Sequence, residues 1–196
     1  MKISDTKEIQ TTLREEIDSK RFQHTLGVAY TAVSLAMRYD SDLTEAFIAG
    51  LLHDCAKCMS DKDKISFCKE HNLKITNIEL QNPFLLHAIV GSVLANEKYG
   101  IENPSIENAI LYHTTGHPAM TLLEKIIFIA DYIEPLREHD PELSKVRQIA
   151  LIDIDKCLIL ILQHTLSYLK SSGKEIDPKT EETYKYYIKV KDNMHE

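Results

Sequence analysis

Apolar residues recur at three- and four-residue spacing along nearly the whole chain, and this regularity commits it to helices. Ile9, Leu13 and Ile17 mark one face of a short first helix, and Leu158, Leu162, Leu166 and Leu169 continue one face of a late one. CLILILQHTLSYL therefore reads as a buried helix despite its β-branched pair. No stretch carries a convincing strand pattern. The punctuation agrees: Asp42 with Glu45, and Thr121 with Glu124, have the spacing of capping boxes. Pro83, Pro104, Pro141 and Pro178 sit where a first helical turn tolerates a missing N–H, and Gly100 and Gly173 follow periodic segments as helix-ending residues do. Connections of a few residues separate these segments, so the pattern predicts an all-α helical bundle of about eight or nine helices.

The length, 196 residues, suits one domain spanning 1–196, with no repeat, linker or low-complexity tract to divide it. At 43% hydrophobic and 27% charged residues the chain can bury a sizeable core. A formal net charge of -7 argues against nucleic acid and anionic membrane as partners, both of which select for an excess of Lys and Arg. MKISDTKEIQ lacks the apolar core of a signal peptide, and the most apolar stretch, Cys157 to Leu162, is too short to span a bilayer. Four cysteines without an export signal predict reduced thiols, no disulfides and a cytoplasmic location.

Against this background, certain polar residues are out of place. A helix expected from about Thr44 to Lys57 is apolar or small on every side from Phe47 to Leu52, then meets His53 and Asp54 side by side. Ionised Asp54 near a core is costly without a positive partner, and a metal ion is one such partner. His24 shares a helix with Val28 and Leu35, His87 lies inside LLHAIVG, His113 ends AILYH, and Asp131 interrupts IIFIADYIEP. Taken singly, a core His or Asp more often bonds to a backbone carbonyl or a cap. Taken together, such groups on separate helices are what a bundle shows when it builds a metal site from inward-facing side chains.

A lone His, an adjacent His and Asp, two separated His and a final Asp follow the order of HD-domain phosphohydrolases. RFQHTLGVAY, AGLLHDCAK, LLHAIVG, YHTTGHPAM and EKIIFIADYIEPLR, spanning Arg21 to Arg137, together resemble the YqeK family of symmetrical diadenosine tetraphosphate hydrolases. The resemblance implies a single HD-domain bundle with its motif core at about 21–137 and C-terminal helices over 141–192 completing it. It implies one or two divalent ions, iron first and manganese as the alternative, held by His24, His53, Asp54 and Asp131, with His87 and His113 binding a second metal or an adjacent phosphate. The expected reaction is attack of metal-activated water on the central phosphoanhydride, turning the dinucleoside polyphosphate substrate into two ADP.

Asp54 and Lys57 are the expected catalytic pair. Lys57, one turn beyond His53 and Asp54, is placed to offset charge on the departing phosphate, Arg137 and Arg21 to clamp phosphate oxygens, and Thr114, Thr115 and Gly116 to line a nucleotide pocket. Alternative readings are another HD-type phosphohydrolase acting on a mononucleotide or cyclic nucleotide, or a nucleotide-binding sensor without turnover. Whether the chain forms a homodimer is left open. Cys55 and Cys58 form C-x-x-C, which with no preceding strand and no second pair reads as a core and a flanking cysteine. His117 is near the motifs in sequence, His139 and His164 lie outside them, His71 and His195 are expected at the surface, and Glu15, Glu16 and Asp18 on a solvated face.

Overall fold

Capping side chains set most helix starts. Asp18 accepts the N–H of Arg21, Asp42 those of Thr44 and Glu45, Ser60 that of Asp63 and Asp153 that of Lys156. In the computed structural model, which describes residues 6–138 and 141–193, these caps open a chain of helices without strands among the described residues. In order they are α1 (Lys7–Glu16), α2 (Ser19–Tyr39), α3 (Leu43–Leu52), α4 (Asp61–Glu70), α5 (Asn77–Gln81), a 3-10 turn (Pro83–Leu86), α6 (His87–Glu97), α7 (Pro104–Tyr112), α8 (Leu122–Ile133), α9 (Leu143–Ala150), α10 (Ile154–Ser171) and α11 (Pro178–Asn193). His139 and His195 lie outside the described residues.

The all-α expectation stands, with more and shorter helices than the periodicity resolved. The five-residue α5 and the 3-10 turn are too short for a 3.6-residue repeat to register. The helix expected over 44–57 ends at Leu52, because the residues after it fold into successive turns closed by Cys55 N–H to Leu52 O and Lys57 N–H to Asp54 O. Thr121 and Glu124 form a full capping box, as do Thr76 and Glu79, whereas Glu45 leaves its cap to accept from Asn103. Pro83, Pro104 and Pro178 open helical turns; Pro141 stands two residues ahead of α9.

α2 is the spine of the bundle, packed along α3 and α8, with α7 closing the layer between α3, α6 and α8. Leu35, Phe47, Leu51, Leu52, Ile110, Ile126 and Ile129 fill the space between them. The α2–α3 contact is tight: a Cβ on Gly50 would lie 2.6 Å from the Ala29 Cα, so only hydrogen fits there. α10 lies on α8 and α9 and receives α11, burying Leu158, Leu162 and Leu166 as the sequence pattern requires. A smaller cluster of Ala56, Cys68, Leu86 and Val90 seats α4 and the 3-10 turn against α6. Among the described residues no helix is long and apolar enough to cross a membrane.

Candidate metal centre

The centre assembles where helices stop. His53 follows the last residue of α3 and brings its Nδ1 to 2.7 Å from the Gly50 carbonyl. His87 closes the 3-10 turn with Nδ1 2.6 Å from the Phe84 carbonyl, and His113 closes α7 with Nδ1 2.7 Å from that of Ile110. Each ring donates an N–H to a carbonyl three residues back, satisfying an acceptor that a helix end leaves open. The donation also fixes the tautomer, so Nε2 carries the free lone pair. His24 reaches the same state inside α2, where its Nδ1 lies 3.0 Å from Oε1 of Glu134.

Asp54 divides the cluster. Its Oδ2 lies 2.7 Å from Arg21 Nη1, 3.6 Å from His53 Nε2 and 3.9 Å from His24 Nε2. Its Oδ1 faces the other way, 3.2 Å from His87 Nε2 and 3.6 Å from both His113 Nε2 and Lys57 Nζ. The imidazoles succeed one another edge to face, His24 to His53 at 5.4 Å between centroids, His53 to His113 at 5.1 Å and His113 to His87 at 5.0 Å. Asp131 closes the His24 side, its Oδ1 3.0 Å from His24 Nε2 and 3.7 Å from His53 Nε2. Arg137 holds that oxygen at 2.6 Å.

These contacts set acceptor against acceptor. Nε2 of His24, Nε2 of His53 and Oδ1 of Asp54 are buried without a hydrogen-bond partner, an arrangement that costs free energy until a cation is shared among them. His24, His53 and Asp131 form one set of ligand atoms within 4.8 Å of one another, and His53, Asp54 and His113 form a second. Nitrogen and carboxylate donors in this number fit a divalent metal ion. Burial pushes the His53 and His87 imidazoles down to about 4, which keeps both neutral and able to ligate near pH 7. Burial works the other way on Asp54 and Asp131, but the surrounding imidazoles with Lys57 and Arg137 outweigh it and hold both carboxyls below the ordinary range. Lys57 is lowered by burial, against the pull of Asp54 and Asp131.

The structure thus gathers His24, His53, Asp54, His87, His113 and Asp131, with Arg21, Lys57 and Arg137 at the edge. Lys57 Nζ lies 3.0 Å from His87 Nε2, and Thr114 Oγ1 3.2 Å from His113 Nε2. Thr115 turns its hydroxyl to the Gly116 carbonyl, and Gly116, at φ 63°, packs on Thr183 of α11 and not on the cluster. His117 pairs with Glu124, and His71 stacks on Phe67 and pairs with Glu97. Cys55 is buried and Cys58 exposed. Glu16 is not merely solvated, since it binds Lys98 and the Tyr99 hydroxyl.

Sequence reasoning missed Glu134. It is buried, holds His24 through Oε1 and accepts the Leu136 N–H at Oε2. A signal existed in Gly27, three residues after His24, where a Cβ would lie 2.6 Å from Glu134 Oε2. That glycine leaves room for a carboxylate behind the imidazole.

The sequence profile of the HD domain matches residues 21–136. The symmetrical bis(5'-nucleosyl)-tetraphosphatase of Halalkalibacterium halodurans is 40% identical over 88% of this chain and 91% of its own. That of Bacillus subtilis is 35% identical over 90% and 94%. A crystal structure from Clostridium acetobutylicum, described as a predicted HD superfamily hydrolase involved in NAD metabolism, superposes with a TM-score of 0.91 at 39% identity, covering 93% of this chain and 96% of that one. A matched domain that coincides with the residues meeting at Asp54, and likeness over almost the full length, lead to one conclusion: the chain belongs to the HD-domain family and, within it, to the family of the symmetrical bis(5'-nucleosyl)-tetraphosphatases.

Proposed function

We propose that the protein hydrolyses diadenosine tetraphosphate symmetrically, consuming one water and releasing two ADP. The observation that carries the reading is the division of ligands by Asp54, with one oxygen toward His24 and Arg21 and the other toward His87, His113 and Lys57. His24, His53, Asp54 and Asp131 would hold a divalent ion, and His87 and His113 a second ion or the phosphate beside it. Iron is the ion we assign, with manganese compatible with the same nitrogen and oxygen donors. Such an ion supplies a Lewis acid and makes water nucleophilic near neutral pH.

The chain's own residues do the rest. Arg21 and Arg137 now neutralise Asp54 and Asp131. With Asp54 and Asp131 holding a metal, both guanidiniums would be free to turn toward the phosphates, where their planar fork suits paired oxygens. Lys57 stands 3.6 Å from Asp54 Oδ1, close enough to offset charge on the phosphate that departs. Buried neutral imidazoles keep their lone pairs for ligation without drawing protons from bulk water. Four free thiols agree with a reducing cytoplasm as the place of work. The reading is tested by incubating metal-loaded protein with diadenosine tetraphosphate and resolving the products by anion exchange. ADP alone is expected; AMP with ATP, or no cleavage with any divalent metal, overturns it.

A further inference from the structure

α8 stops because Pro135 follows Glu134: a residue before proline is driven out of the helical region, and Glu134 takes φ -51° and ψ 151°. The chain then turns back, closed by Arg137 N–H to the Glu134 carbonyl at 3.0 Å and by Leu136 N–H to the Glu134 carboxylate at 2.7 Å. A helix end beside a proline leaves carbonyls without intrahelical donors. Arg147 of α9 supplies them. Its Nε donates to the Ile133 carbonyl at 2.8 Å, and its Nη2 to those of Glu134 at 2.8 Å and Arg137 at 3.2 Å. One planar cation thus spans the turn from end to end, at a helix C-terminus where positive charge is favoured.

Both long polar side chains of that turn reach the cluster. Glu134 holds His24 Nδ1 at 3.0 Å, and Arg137 holds Asp131 by its side-chain oxygen at 2.6 Å and its carbonyl at 3.1 Å. α9 is itself fixed to the helix that carries His24, because Tyr39 of α2 donates to the Ala150 carbonyl at 2.7 Å and Arg38 to that of Leu151 at 2.6 Å. Val146 and Ala150 anchor it further, fully buried in the core. We infer that Arg147 is a positioning residue for the metal centre: by holding the backbone of 133–137, its guanidinium sets the Glu134 carboxylate against His24 and Arg137 against Asp131. The inference rests on the metal reading of the cluster. Arg147 acts only through those neighbours.

The test begins on metal-free protein, where nitrogen NMR of the imidazoles reports the tautomer of each ring. In the wild type His24 should carry its proton on Nδ1, toward Glu134. Arg147→Met keeps the apolar stem but no donor, and should move the His24 signals toward a mixture of tautomers. His53, His87 and His113, each pinned to a carbonyl of its own segment, should stay in place. Arg147→Lys keeps the charge without the fork, so it should fold as the wild type does and displace the same ring by less. Chelator competition then reads ion affinity. A loss of roughly 10- to 100-fold is expected for Arg147→Met, and adding Glu134→Gln should cost little more, because both act through the same hydrogen bond. His24 signals at their wild-type positions in either folded variant, equal displacement of all the rings, or losses that add in the double variant overturn the inference. Protein whose His24 moves with Arg147 but which binds no divalent ion would sink the proposed function alone.

Discussion

Lys57 and Glu134 touch the same cluster in different ways, and their substitutions should separate. Lys57 follows Asp54 by three residues on the turns after α3, and its ammonium lies 3.6 Å from Asp54 Oδ1 and 3.0 Å from His87 Nε2. Lys57→Met keeps the apolar stem and removes the ammonium, so kcat should fall by roughly 10² to 10³ with metal content unchanged, the scale of losing one transition-state donor. Turnover at the wild-type rate would return Lys57 to a purely structural role. Glu134 acts through His24, which it orients by a 3.0 Å hydrogen bond. Glu134→Gln retains the shape and an acceptor but loses the negative charge behind the ring. Metal affinity should drop by roughly 10- to 100-fold, with activity recovered at saturating metal. Equal metal affinity in competition with a chelator would contradict this.

Helix ends and helix contacts place these side chains. α3 is caught between its Asp42 cap and the turn at His53, and its middle lies against α2 so closely that Gly50 cannot carry a methyl group. Gly50→Ala should push α2 and α3 apart and cost about 1 to 3 kcal/mol, as overpacking of a fixed backbone does. At about 2 to 4 °C per kcal/mol for a chain of this size, calorimetry would register the loss as a lowered Tm. His24 and His53 sit on the separated helices, so the same variant should also bind metal less tightly. A Tm equal to wild type would mean that the helices have freedom the structure does not show.

Across the molecule, protons link the centre to stability. His53 and His87 have folded values of about 4 against an ordinary 6.5, both lowered by burial. Between those values the unfolded chain binds more protons than the folded one, so stability rises with pH there. For the metal-free protein, the contribution of these rings is complete above about pH 6.5 and is lost as pH falls toward 4. Urea midpoints at pH 7 and pH 5 should therefore differ, the lower pH giving the lower midpoint; equal midpoints would show the rings to be less buried than they are here. Asp54 and Asp131, held below the ordinary carboxyl range, contribute a constant stabilisation in that window and lose it only in stronger acid.

Much of this was legible in the sequence. The apolar spacing at Ile9 and Leu13, or at Leu158 and Leu162, is a direct imprint of burial on one helix face. The six ligand candidates betrayed themselves as polar breaks in apolar runs. The end of α3 was hidden, because Cys55 and Ala56 remain apolar and buried after the helix has stopped; burial and helicity part there, and periodicity follows burial. Glu134 was hidden for a related reason. A glutamate beside a proline at a helix end resembles a surface residue, and its partner His24 is 110 residues away. Arg21 and Arg137 were singled out for phosphate, but spacing could not reveal that each would rest on a carboxylate of the cluster, Asp54 or Asp131.

The three histidines that close helical segments have one more consequence, which concerns entropy. His53, His87 and His113 each have a ring pinned to a carbonyl three residues earlier, so their rotamers are settled once those local turns exist. Ordering a free side chain at a binding site costs roughly 0.5 to 1.5 kcal/mol, and here folding has already met that cost for all three rings. Ion capture at this centre then demands little further ordering of the chain. Its affinity is set by ligand chemistry and by the carboxylates that must exchange one cation for another, not by how readily the imidazoles find their places.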